Sequence, residues 1–166
     1  RDDTYTFVVN KNKNYIQRNL TIDDFLVQRI NIIIFTDNSG QVVYGKYVDL
    51  ENGKELDNKD NIFEEVIKNY RLLTEHKDTK RHIKGIILIK NGPLIVASQP
   101  ILTCNYGGPI RGALIVGRYL NARELKLIEN EVKLPVNIYN LNNRDLPVKI
   151  VKNLLEEKSD TAQILN

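Results

Sequence analysis

The chain has 166 residues, 42% of them hydrophobic, and its 24 Lys and Arg against 21 Asp and Glu leave a net charge of +3. That length fits one domain, residues 1–166, with a core of its own, and excludes a disordered chain or a miniprotein held by disulfides or metal. The basic residues are scattered, which argues against a nucleic-acid partner, and the lone Cys104 excludes an internal disulfide or a multi-cysteine zinc cluster.

Asp2 and Asp3 place acids at a helix start, and Tyr5, Val8, Val9, Ile16 and Leu20 share one arc of a helical wheel, so residues 2–20 read as a long N-terminal helix. The polar run Lys11-Asn12-Lys13-Asn14 is a candidate break. Thr21 with Asp24 reads as a capping box opening a short turn. Residues 31–35 and 41–50 are β-branched and aromatic, and Asp37-Asn38-Ser39-Gly40 between them is turn chemistry, which predicts a hairpin. A second turn falls at Asn52-Gly53. Ile62, Phe63, Val66, Ile67, Tyr70 and Leu73 keep the 3.6 period, and Asn61 with Glu64 supplies a cap for a helix over 61–75. A basic loop from His76 to His82 leads to a second hairpin, 83–89 and 93–102, closed at Asn91-Gly92. A Gly-rich loop over 104–109, a strand over 111–119, a helix from Asn121 to about 131, an edge strand over 136–141 and a last helix over 146–157 complete the order. The expected class is α+β, a central antiparallel sheet of about five to six strands with helices packed on one face.

Catalytic chemistry fares badly on this pattern. The only nucleophile and base candidates are Cys104 with His76 or His82, and no catalytic residue is assigned. Tyr106-Gly107-Gly108 lacks the spacing of a phosphate cradle and leads into a strand. Asp2-Asp3 and Asp23-Asp24 suit helix entries better than calcium, so neither metal nor cofactor is expected. What remains suits a small-molecule pocket on the open face of the sheet, with Tyr44, Tyr47, Tyr106, Arg111 and Arg118 as candidate ligand-binding residues. Strand parity sets Arg111 and Tyr119 on one face, and Leu114, Val116 and Arg118 on the other. The alternative keeps Arg118 and Tyr119 as rim residues pairing with a helix, and Arg111 as a solvated side chain.

Six segments together carry a family resemblance: DDTYTFV at 2–8, Asn19-Leu20, IIIFTDNSGQVVY at 32–44, GPLIVASQPIL at 92–102, PIRGALIVGRYL at 109–120, and Leu146-Pro147 before the last helix. In that order they resemble the fourth class of CHASE-type sensor domains. These are extracytoplasmic modules of bacterial and archaeal histidine kinases and diguanylate cyclases, similar in fold to PAS and Cache sensors. The resemblance implies an extracytoplasmic domain with membrane attachment only through flanking segments. It also implies homodimerisation in the parent and an unknown small-molecule ligand, an organic anion if Arg111 grips it. With no Met in the chain, an apolar span of about 20 residues is expected upstream of Arg1. Asn19-Leu20-Thr21 is a glycosylation acceptor usable only outside the cytoplasm. The competing classes are a cytoplasmic PAS-like or profilin-like protein-interaction module, and then an enzyme using Cys104.

Overall fold

The computed structural model describes residues 3–103 and 109–139. Three helices open the chain, α1 (Asp3–Asn10), α2 (Lys13–Asn19) and α3 (Ile22–Gln28), followed by strands β1 (Ile32–Thr36), β2 (Val42–Asp49) and β3 (Lys54–Leu56). Helix α4 (Ile62–Asn69) and a 3-10 turn (Arg71–Leu73) lead to β4 (Ile83–Ile89), β5 (Gly92–Pro100), β6 (Ala113–Tyr119) and α5 (Ala122–Val132). The strands form one sheet in the order β3-β2-β1-β6-β5-β4, every neighbouring pair antiparallel. The fold is α+β, as its alternation of hairpins and helices requires.

Local signals set most boundaries. The long N-terminal helix is split: Lys11 takes a left-handed φ of 52°, and Asn12 starts α2 by accepting from Asn14 N at 2.9 Å. Thr21 and Asp24 form the reciprocal cap of α3, with Asp24 N bonded to Thr21 Oγ1 at 3.2 Å and Thr21 N to Asp24 Oδ2 at 2.9 Å. The side-chain bond from Thr21 holds the Asp24 carboxyl below its ordinary range. Helix α4 corrects the sequence reading, because Asn61 makes no side-chain cap and Asn58 Oδ1 accepts from Ile62 N at 2.7 Å instead. That helix also ends early, at Asn69. Tyr70 leaves its axis and clips edge strand β4, donating to Leu88 O at 2.6 Å and accepting from Leu88 N at 3.0 Å. Strand β3 was not foreseen, since Lys54, Glu55 and Leu56 are all exposed. Residues 136–139 are not a strand, and 146–157 lie outside the described residues.

Helices cover both faces of the sheet rather than one. Ile32, Ile34, Ala113, Ile115, Leu94 and Val96 turn toward Ile62, Phe63 and Val66 of α4. The opposite side chains of β1, β2 and β6, among them Phe35, Tyr44, Val48 and Leu114, pack under α1 to α3 with Phe7, Leu20 and Phe25. Register puts each strand residue on its face: Ile34 pairs with Gly45 and Ile115, Phe35 with Tyr44 and Leu114. Buried Lys46 ties the helical layer down, its ammonium donating to Leu20 O at 2.8 Å and pairing with Glu55 at 3.3 Å.

His76 joins the loop before β4 to β5. Ser98 Oγ gives its one hydrogen to Leu73 O at 2.5 Å, so His76 Nε2 is the donor in the 2.8 Å bond to Ser98. Its Nδ1 is buried with no partner among the described residues. Burial lowers the imidazole pKa from its ordinary value near 6.5. Because the unfolded chain takes up this proton first, its contribution to stability is intact above about pH 6.5 and declines as pH falls below that value. Thermal unfolding followed between pH 8 and 5 is expected to show this loss, and His76→Gln to flatten it. Equal slopes for the two proteins would refute the assignment.

Candidate functional site

Asn31, immediately before β1, clasps one end of the sheet. Its main chain donates to Gly117 O at 2.9 Å and accepts from Val48 N at 2.8 Å. Its side chain donates to Val48 O at 3.2 Å and accepts from Tyr119 N at 3.0 Å. The ends of β2 and β6 are thereby held on either side of β1 as they meet α3 and α5. Between these elements lies a cavity of about 620 Å³, within the range of small-molecule sites. Leu26 and Arg29 line it from α3 and the residue that ends it, Tyr47 and Asp49 from β2, Asn91 from the β4–β5 connection, Pro93 from β5, Tyr119 from β6, and Arg123, Glu124 and Leu127 from α5.

The tyrosines supply an amphipathic wall, ring centroids 6.1 Å apart. Tyr119 Oη is buried with no hydrogen-bond partner among the described residues, and burial, with Tyr47, Glu65 and Asp60 nearby, pushes its phenol above the ordinary range. Two wall carboxylates are already committed. Asp49 accepts from Asn52 Nδ2 at 2.6 Å and from Glu51 N at 2.9 Å, and the Asn52 side chain is the main cause of its lowered pKa. Glu124 is paired with Arg29 and, at 3.0 Å, with Arg118. Glu51, also in the wall, is exposed. Arg29 uses one terminal nitrogen for Glu124, and its remaining N–H groups, like the whole guanidinium of Arg123, carry no hydrogen bond or ion pair among the described residues. The site therefore offers spare cationic donors beside aromatic surface, the equipment for holding a small organic anion.

Of the five residues singled out in the sequence, Tyr47 lines this cavity. Tyr44 packs on the α1 side, 5.8 Å from Phe7 and 6.2 Å from Phe35 between centroids. Arg111 is exposed, Nε donating to Tyr5 Oη at 3.0 Å and the guanidinium 5.3 Å over that ring. Arg118 braces two elements through Arg29 O, Gln28 O and Glu124, and Tyr106 lies outside the described residues. The parity argument correctly separates Arg118 from Tyr119, because Leu94 pairs with Tyr119 and Ile95 with Arg118 on opposite faces. Arg29, Asn31, Arg123 and Glu124 gave no sequence signal toward this site, beyond Asn121 with Glu124 marking a helix start. No group of three His, Cys, Asp or Glu side chains able to hold a metal occurs among the described residues.

The order of these strands and helices, with a cavity between α3, β6 and α5, is what the comparisons with known proteins bear on. The CHASE4 domain model matches residues 1–139, and the chain belongs to that family. Over 120 residues it is 31% identical to the methanogenesis regulatory histidine kinase FilI of Methanothrix harundinacea (strain 6Ac), covering 72% of this chain and 13% of that protein's length. Among solved structures, the extracellular domain of vpHK1S-Z8, assigned as a histidine kinase, superposes with TM-score 0.55 at 14% identity, covering 78% of this chain and 49% of that one. A domain of a sensory box/GGDEF family protein from Vibrio parahaemolyticus gives TM-score 0.56 at 16% identity, covering 78% and 51%. These two share the fold.

Proposed function

We propose that this chain is the extracytoplasmic, ligand-sensing domain of a membrane-bound signal transducer, most simply a sensor histidine kinase, and that a small organic anion occupies the cavity between α3, β6 and α5. The observation that carries this reading is the cavity itself, walled by Tyr47 and Tyr119 and supplied with the spare donors of Arg29 and Arg123. The family and the histidine kinase relative support the sensory class. Among the described residues no helix is long and apolar enough to cross a membrane, so the anchor is assigned to flanking segments. The signal passes to the output domain of the parent, which acts as a homodimer.

Calorimetry with a panel of small carboxylates tests the site. A carboxylate that binds the wild-type domain is expected to bind Arg29→Gln/Arg123→Gln at least tenfold more weakly, the about 1.5–3 kcal/mol scale of hydrogen bonds to charged groups. Arg111→Ala, remote on Tyr5, is expected to bind as wild type. Loss confined to Arg111→Ala would move the site to the α1 side, and a panel without a binder would remove the anion class.

A further inference from the structure

Helix α5 is attached in an unusual way. Its single buried residue is the carboxylate Glu124, 7% exposed, while Leu125 and Ile128 are half-buried and Leu127 and Val132 are 40% and 48% exposed. The Glu124 oxygens are divided between two elements: Oε2 accepts from Arg29, which ends α3, and Oε1 accepts from Arg118 of β6 at 3.0 Å. Arg118 in turn closes the junction onto α3, Nε donating to Arg29 O at 2.5 Å and Nη2 to Gln28 O at 2.9 Å. Arg29 stands in a left-handed conformation, φ 55°, that brings it to this junction. An apolar helix dock loosens by degrees. A buried carboxylate shared by two guanidinium groups has discrete partners that a competing charge can take.

We propose that Glu124 is a two-point latch holding α5 to the end of α3 through Arg29 and to β6 through Arg118, and that occupancy of the cavity is passed to α5 by competition for Arg29. Arg29 and Glu124 both face the cavity, so an anion that engages the Arg29 guanidinium draws it from Glu124 and loosens the helix, leaving Glu124 with Arg118 as its one remaining partner. The identity of the competitor rests on the cavity being the ligand site; the latch does not.

The test needs no ligand. Leu26 lines the cavity on the same helix, three residues before Arg29, and is itself partly exposed. Leu26→Glu places a carboxylate there that competes for Arg29 as the anion would, and Leu26→Gln is its uncharged control. Amide hydrogen exchange read over 125–132 is expected to be at least tenfold faster in Leu26→Glu, Arg29→Gln and Glu124→Gln than in wild type, with β1 and β6 unchanged. Leu26→Gln is expected to exchange as wild type, and Arg29→Gln/Glu124→Gln no faster than Glu124→Gln alone, as for one shared device. Should Glu124→Gln not fold, Leu26→Glu and Arg29→Gln decide, since both leave the buried carboxylate in place. Unchanged α5 protection in those two variants, or equal exchange in Leu26→Glu and Leu26→Gln, would overturn the latch. Failure of carboxylate binding with a working latch would remove only the anion.

Discussion

Gly112→Ala is expected to destabilise the domain by about 2–6 kcal/mol, a large share of a total stability of about 5–15 kcal/mol. Gly112 immediately precedes β6 at φ +136°, a conformation that L side chains rarely adopt, and a Cβ there would lie 1.8 Å from Thr36 O and 2.9 Å from Asp37 C. The neighbouring bonds pin the approach: Ile101 N donates to Gly112 O at 2.9 Å and Ala113 N to Thr36 Oγ1 at 3.1 Å. Since β1 and β6 are the central pair of the sheet, the displaced carbonyl is felt on both faces. Gly92→Ala is the comparison. Its φ is +120° but nothing lies within 4 Å of an added Cβ, so only the backbone term of about 1–3 kcal/mol remains. Urea unfolding of the two variants separates strain from collision, and equal losses would show that the Thr36 contact costs nothing.

The contrast between these glycines also shows what the sequence makes legible. Gly92 follows Asn91 between two apolar runs, a turn signal complete within a few residues, and the hairpin forms there. Thr21 with Asp24 and Asn121 with Glu124 are caps for the same reason, because both partners lie within one helical turn. Gly112, with Ala113 and Gly117, marks a close approach to this strand, and the approach is there, but its partner Thr36 lies 76 positions away. Strand β3 is illegible because Lys54-Glu55-Leu56 is an exposed edge with no apolar face of its own. The site is harder still. Arg29 and Glu124 are 95 positions apart, and nothing among 24 basic and 21 acidic residues marks these two as partners. Tyr44 and Tyr47 are alike as residues, and only their opposite parity on β2 separates the one under α1 from the one at the cavity. Which end of which strands encloses space depends on the clasp at Asn31, which ties the start of β1 to both of its neighbours, β2 and the distant β6.

Phe7→Ala is expected to cost about 3–5 kcal/mol, the scale for emptying a buried aromatic site. Phe7 is 1% exposed, stacked on Tyr15 at 4.5 Å and meeting Phe35 and Tyr44 edge-on at 5.2 and 5.8 Å. It is the point at which α1, α2, β1 and β2 converge. Helix α1 has eight residues, too short to persist alone, and it places Val9 62% exposed, so Phe7 and Val8 supply most of its attachment. Truncation therefore frees the first helix as well as emptying a core site. The chain has no Trp and eight Tyr, so Tyr15 and Tyr44 contribute a share of its near-ultraviolet circular dichroism that Tyr15→Phe and Tyr44→Phe identify. The Phe7→Ala spectrum should lose that signal before global unfolding in urea. Phe7→Leu keeps most of the volume, and its loss should stay below about 1.5 kcal/mol. A Phe7→Ala loss below about 1 kcal/mol with the tyrosine signal intact would mean that α1 is held elsewhere.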